Sequence, residues 1–400
     1  MRLSSILFYL QAELLLVWFA LALFIFWGAL WLVHFISLAY AKWRLYRKPK
    51  PREGLLPGVS VIKPLVGVDA NLATNLETFF TLQYPTYELL FCVHSESDPA
   101  LMVVQMLMNK YKDVDARIFV GGEQVGLNPK INNMMPAYSA AKHEFVLVSD
   151  SNIFMREDAL LDMVLSMSDN VALVTQTPYC MDRKGLGSNL EQIYFGTSHA
   201  RIYMTGNCLG FVCSTGMSSL IRKCALDDVG GMRAFSPYLA EDYFFGVALA
   251  KRGWLSVISG LPALQNGSTD VHRFHDRICR WIKLRVAMLP HTIILEPMQD
   301  CMMAGLMGSW AANMLFDWNS LVFFLVHVLM WMLFDYMLIC TVQNGPLSFG
   351  KFEFAVMWLY RELSALPIYI KALWEPRIRW RAGLFKLRWG GLIEEVPEKR

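Results

Sequence analysis

Three carboxylates stand where apolar runs end or a helix opens. They are Asp98 in Ser95-Glu96-Ser97-Asp98-Pro99, Asp150 in Asp150-Ser151-Asn152 and Asp242 in Ala240-Glu241-Asp242-Tyr243. Acids spaced in this way suit a nucleotide-sugar site. One accepts hydrogen bonds from a base or ribose, a second holds a divalent cation against a diphosphate, and a third removes a hydroxyl proton. Each also has a plainer reading. Asp98 can cap the helix after Pro99, Asp150 can cap as well, and Glu241-Asp242 can compensate a helix dipole. Asp150 is the hardest to dismiss, because a charge at the end of an apolar strand is costly without a partner.

Cations accompany them. Lys63 follows the apolar run Val59 to Ile62, and Lys130 sits in Gly126-Leu127-Asn128-Pro129-Lys130-Ile131-Asn132-Asn133, a loop leading into a helix. Lys130 can approach a phosphate or a base, or be a solvated surface lysine. Arg273, Arg277 and Arg280 with Trp281 fall at helical spacings beside the apolar stripe Val271, Phe274, Ile278, Ile282, Val286 and Leu289. Planar guanidinium groups suit a leaving diphosphate, and anionic lipid headgroups are the alternative ligand. The chain has no Walker lysine loop and no GxGxxG, so a glycine-rich phosphate cradle is not expected.

The elements that must position these groups alternate. Strands are predicted at Val59 to Ile62, Glu88 to His94, Ala116 to Val120, Glu144 to Ser149 and Val171 to Gln176, with helices at Pro99 to Tyr111 and Pro129 to Ala141. Alternation of this kind gives an α/β domain around a mainly parallel sheet, whose ligands bind off the carboxyl ends of the strands.

Composition adds a second solvent. Of 400 residues 55% are hydrophobic and only 18% charged, and the net charge of +3 gives no reason to expect nucleic acid. Leu14 to Ile36 is long enough to cross a bilayer, and Lys42, Arg44, Arg47, Lys48, Lys50 and Arg52 follow it, which places the rest of the chain on the cytosolic side. His34 reads as an interface residue. A membrane hairpin is expected from 301 to 316 and 321 to 341, turning at Asp317 to Ser320, with a three- or four-span version as the alternative. The patches Val286 to Leu295 and Phe354 to Trp374 lie wholly or partly in the interface, the latter because it holds Arg361 and Glu362. The run Cys208 to Leu220 is too short and too rich in Gly and Ser to cross. The eight cysteines show no CxxC pair and read as reduced, buried thiols. The resulting division is an amino terminus at 1–12, a transmembrane anchor at 13–38 and an α/β domain at 57–270. Amphipathic interface helices follow at 271–298, membrane or interfacial helices at 299–374 and a basic tail at 375–400.

In order along the chain these blocks resemble the ceramide glucosyltransferases. The resemblance rests on Val61-Ile62-Lys63-Pro64-Leu65 with Gly67-Val68-Asp69, Asn75 to Phe80, Asn128 to Asn133, Glu191-Gln192 through Tyr194 to His199, Ala240 to Phe244, and Arg277-x-x-Arg280-Trp281. It implies a Rossmann-like GT-A nucleotide-sugar domain between membrane helices. It further implies Asp98 at the nucleotide, Asp150 and Asn152 at a divalent cation (Mg or Mn), and Asp242 as base toward the acceptor hydroxyl. Lys63 and Lys130 fall in its substrate-binding blocks, and Arg277, Arg280 and Trp281 at the diphosphate and the acceptor mouth. His199 matches a position the family associates with activity, where spacing alone gives a buried or interfacial histidine. Two departures stand out. Around Asp98 lie His94, Ser95, Glu96 and Ser97 where relatives often carry several acids, so Glu96 or Asp98 can be the nucleoside ligand. Asn152 replaces a second aspartate, which implies modest metal affinity.

The implied reaction is inverting transfer of glucose from UDP-glucose to the primary hydroxyl of ceramide, in a multi-pass protein of the Golgi membrane with its catalytic domain toward the cytosol. The sequence leaves open whether copies of the chain associate. The rival readings are a glycosyltransferase acting on a polyprenyl phosphate or other lipid, and a catalytically silent membrane scaffold.

Overall fold

The computed structural model describes residues 2–47, 54–180, 185–267, 269–380 and 383–396. Lys48, Lys50 and Arg52, used above in the orientation argument, lie outside the described residues.

A seven-stranded sheet organises the aqueous domain. Its strands are β1 (Val59–Leu65), β2 (Tyr87–Val93), β3 (Ala116–Val120), β4 (Phe145–Ser149), β5 (Val171–Thr175), β6 (Ser218–Arg222) and β7 (Leu255–Ile258). Their spatial order is β3-β2-β1-β4-β6-β5-β7. The first four are parallel, and β6 alone runs against both its neighbours β4 and β5. Both faces of the sheet are covered, as near-continuous apolar strands require. Val59, Val61, Phe145 and Leu147 pack on one side with Phe79 and Phe91; Ile62, Val146 and Val148 pack on the other with Ile131, Met134 and Phe245. The alternation follows from the two-residue period of a strand.

β6 decides where the site lies. In the antiparallel register Ser218 pairs with Ser149, so the loop entering β6 arrives where β4 leaves. The Cys208 to Leu220 run therefore contains the end of a helix, a loop and the start of an interior strand of the sheet, and makes no membrane crossing.

A small sheet joins Ile153–Phe154, Ala263–Gln265 and Pro178–Cys180. A third, antiparallel, comprises Arg377–Trp380, Gly383–Leu387 and Ile393–Val396. The segment expected to be a basic tail is thus folded. Its Ile378, Phe385 and Ile393 bury against Leu239 and Leu284, and that apolar contact is what orders it.

Two helices are long and apolar enough to cross a membrane, Gln11–Arg44 within the Arg2–Arg44 helix and Ser320–Gln343. Cys301–Phe316 is shorter and leads into the second through Asp317, in the left-handed conformation. Ring contacts between Phe19 and Trp310 at 5.7 Å, and between Trp27 and Phe323 at 5.1 Å, pack the three together. Helix Lys351–Trp374 covers the last patch, burying Arg361 and Glu362 while exposing Leu359, Leu363, Ile370 and Trp374. Thr292–Met298 buries none of its residues and exposes Ile293, Ile294 and Leu295.

Two expectations are corrected. His34 is no interface residue but is buried, its Nε2 lying 2.6 Å from Arg201, whose guanidinium also meets Asp335 at 3.0 Å. The Arg201–Asp335 ion pair stays together in this apolar setting because leaving either charge alone would cost several kcal/mol, on the order of 3–5. All eight cysteines are free, yet Cys208 and Cys224 are exposed.

The first helix continues into the aqueous domain without a break. Arg44 donates to the Ile258 carbonyl at 2.7 Å and to Ser166 Oγ at 3.0 Å, and Tyr46 Oη donates to the Val342 carbonyl at 2.5 Å.

Candidate active site

At the carboxyl edge of β1 and β4 the chain assembles a compact ionic cluster. Lys63, the fifth residue of β1, is fully buried, with its ammonium 3.8 Å over the Phe79 ring. It donates to the Asp150 carbonyl at 2.6 Å and to Ser149 Oγ at 3.3 Å. Burial pulls its pKa well down, with the Asp150 carboxylate acting against that pull. Lys63 therefore shapes the end of β4 from beneath.

Asp150 receives a second lysine on its carboxylate. Lys130 Nζ stands 2.9 Å from Asp150 Oδ1, 3.0 Å from Glu241 Oε1 and 3.1 Å from the Gly216 carbonyl. The helix Pro129–Ala140 delivers it because Asn128 caps that helix, its side-chain oxygen accepting from the amides of Lys130 and Ile131. The same Asn128 amide group donates to Glu241 Oε2 at 3.1 Å. Burial opposes the Lys130 charge, but the surrounding Asp150, Glu241 and Asp242 more than offset it and hold its pKa above the ordinary value.

Asp242 lies in the first turn of Glu241–Lys251, where one carboxylate oxygen accepts from the Tyr243 amide at 2.9 Å and the other accepts from the Gly216 amide. Burial, then the neighbouring Glu241, pushes its pKa up to about 6, against the pull of Lys130 and the two amides. That is the range a general base working near neutrality needs. Asp150 and Asp242 are thus brought to one place, with Lys130 and Gly216 between them.

Asp98 is at the same sheet edge but engaged in structure. Its carboxylate accepts from Gly67, both oxygens at 3.0 Å, and from Ala100 at 2.9 Å, so it caps the following helix and fixes the turn after β1. Gly67 has φ +71°, a conformation glycine adopts without strain. Asn152 lies in the loop after β4, its carbonyl accepting from the Asn266 amide at 2.9 Å. Among the described residues no three His, Cys, Asp or Glu side chains are grouped to hold a metal ion.

The helix Val271–Met288 splits the expected arginine stripe. Arg273 is largely exposed beside Asp270, whereas Arg277 turns inward to pair with Glu191 and to donate to Gln265 at 3.2 Å. Arg280 is half-buried one turn on. Trp281 enters an aromatic group, its ring 5.7 Å from Phe195, 5.8 Å from His199 and 6.2 Å from Tyr194. His199 ends a π-helical turn, Phe195–His199, and stacks on Tyr203 at 4.1 Å. Burial, with Arg285 nearby, holds its pKa down to about 3, so it is a neutral imidazole. Its Nδ1 is buried with no hydrogen-bond partner among the described residues. Tyr203 donates to the Ser214 carbonyl at 2.6 Å, in the loop that carries Gly216.

Sequence reasoning missed Glu241, Gly216, Glu191 and Tyr203 as members of this region. Glu241 had a signal in its adjacency to Asp242, and Glu191 in its resemblance block; Gly216 had none beyond a Gly- and Ser-rich run.

The mannosyltransferase PcManGT from Pyrobaculum calidifontis, solved in complex with GDP-Man and Mn2+, is similar in fold. The TM-score is 0.54 at 17% identity, over 90% of this chain and 99% of that one. The mixed α/β sheet, with Asp150 just past the end of β4 and apolar helices beside it, is a GT-A-like fold. The chain belongs to glycosyl transferase family 21, whose sequence profile matches residues 29–393. It is 55% identical over 379 residues to ceramide glucosyltransferase 3 of Caenorhabditis elegans and 51% identical over 383 residues to ceramide glucosyltransferase 1 of the same organism. Each alignment covers 94% of this chain and 82% of the relative. To the ceramide glucosyltransferase of Komagataella phaffii it is 28% identical, covering 88% of this chain and 86% of that one.

Proposed function

We propose that this chain transfers glucose from UDP-glucose to the primary hydroxyl of ceramide, releasing UDP. The observation that carries the reading is its 55% identity to a ceramide glucosyltransferase across 94% of its length. In one displacement the acceptor oxygen bonds to the anomeric carbon as its proton passes to Asp242. The bond from that carbon to the phosphate oxygen breaks, and the electron pair leaves with UDP. The raised pKa of Asp242 and its place in the first turn of its helix support this role. In this reading Trp281, His199 and Tyr203 offer the aromatic side on which an apolar acceptor would rest, and Arg280 is the cation that would meet charge on the leaving diphosphate.

Asp150 and Asn152 offer hard oxygen donors that fit Mg or Mn, provided donor-substrate oxygens complete the shell, since the protein supplies one carboxylate and one amide. A cation held there would supply charge neutralisation for the diphosphate. In this reading Asp98, at the same sheet edge, acts on the nucleotide side by fixing the turn that carries Gly67. The two apolar helices support membrane association; the basic residues after the first helix favour a sheet facing the cytosol, and a multi-pass form in the Golgi membrane is carried into this reading from the family resemblance alone.

Incubation of the purified full chain with labelled UDP-glucose and a mixed lipid extract tests the reading. Label in glucosylceramide supports it, and label in a polyprenyl phosphate instead overturns the choice of acceptor. Transfer that survives Asp242→Asn removes the proposed base, and a folded parent chain with no transfer to any lipid favours a scaffold.

A further inference from the structure

Lys130 has three N–H donors, and the structure accounts for all of them. They go to Asp150 Oδ1 at 2.9 Å, Glu241 Oε1 at 3.0 Å and the Gly216 carbonyl at 3.1 Å. Its side chain is only 15% exposed. A lysine so placed has no donor left for a phosphate or a base. The three partners come from three separate pieces of chain, the end of β4, the start of the Glu241–Lys251 helix and the loop entering β6. Gly216 is held twice, since its carbonyl accepts from Lys130 and its amide donates to Asp242. A Cβ on Gly216 would lie 2.8 Å from Lys130 Nζ and 3.4 Å from both Asp242 Oδ2 and Glu241 Oε1, so any side chain there would require the ammonium to give way.

We infer that Lys130 is a positioning residue that acts through Asp150, Glu241 and Gly216 to fix the site of Asp242, and is not a ligand of the sugar nucleotide. The inference rests on the glycosyl-transfer reading above. Fixing matters because the base must meet one hydroxyl oxygen, and a displacement of about 1 Å can cost about 100-fold in rate. Electrostatics points the same way. Three carboxylates crowd this edge, and one ammonium among them lets them approach.

The test uses the full-length chain in detergent and two variants, Lys130→Met and Gly216→Ala. The first removes the charge at similar length, and the second pushes the ammonium from its place while keeping it. For each, kcat for glucosylceramide formation and equilibrium binding of UDP in the presence of Mn2+ are measured. A positioning role gives a loss in kcat of about 100-fold with UDP affinity within about threefold of the parent, the pattern of an interaction felt only at the transition state. UDP binding also reports that the variant is folded. If Lys130→Met does not fold, Gly216→Ala decides alone by the same criteria. UDP affinity weakened tenfold or more, or kcat unchanged, overturns the inference. A parent chain that binds UDP but makes no glucosylceramide overturns the functional reading instead, and kcat is then read with the lipid that accepts the sugar.

Discussion

Arg277 on the Val271–Met288 helix is ion-paired with Glu191 on the Leu186–Tyr194 helix, and that pair ties the arginine-bearing helix to the aromatic group around His199. The Glu191 carboxylate is 1% exposed, so its loss would strand a partly buried guanidinium.

Glu191→Ala is expected to destabilise the chain by about 3 kcal/mol, the usual cost of breaking a buried pair from one side. Thermal unfolding in detergent reads this as a lowered midpoint. Combining Glu191→Leu with Arg277→Met should recover part of the loss, since no lone charge remains. A single variant that melts with the parent would refute the role of the pair.

The pH dependence of kcat/KM should show an acidic limb set by Asp242. Burial and Glu241 raise its pKa to about 6, and the base works only when ionised. Activity is therefore present above that pH and falls about tenfold per unit below it. A profile flat down to pH 5 would remove Asp242 as the base.

His199 should leave that limb where it is. Its imidazole is held neutral by burial down to about pH 3, so it carries no charge in the working range. His199→Asn is expected to weaken turnover through the lost stack on Tyr203 while the limb keeps its position. A limb displaced by a full unit in this variant would assign the titration to His199.

Gly308 marks a close approach between apolar helices, where a Cβ would lie 2.5 Å from Trp27 Cδ1. Gly308→Leu should force the Cys301–Phe316 helix away from the first helix, at a cost of about 1–3 kcal/mol. Earlier unfolding or aggregation of the detergent-solubilised chain on size exclusion is the readout. A variant that elutes and melts like the parent would show that the helices do not meet there.

Much of the sheet was legible in the sequence. β1, β2, β4 and β5 are short, mostly apolar runs bounded by polar turns, a pattern fixed by burial on both faces, and β3 is a shorter, partly exposed run at the sheet edge. β6 was not, because its leading half is rich in Gly, Ser and Thr and its direction depends on a partner far away in sequence. The carboxyl-terminal sheet left a signal that went unread, since Arg377, Ile378, Arg379 and Trp380 alternate as a strand does. At the site, Asp150 and Asp242 were legible as acids at element ends. The ion pairs of Lys130 were not, since nothing local tells a lysine that meets carboxylates from one that meets phosphate. His34 misled for the same reason, as its partner Arg201 lies 167 residues on.

The unbroken run from the first apolar helix into Arg44, and from Arg44 to the Ile258 carbonyl, leaves little play between anchor and sheet. A catalytic head on a slack leash could dip and rise to meet its lipid. This one is mounted on a post. The height of the acidic edge above the bilayer is set by the post, and an acceptor must present its hydroxyl at that level.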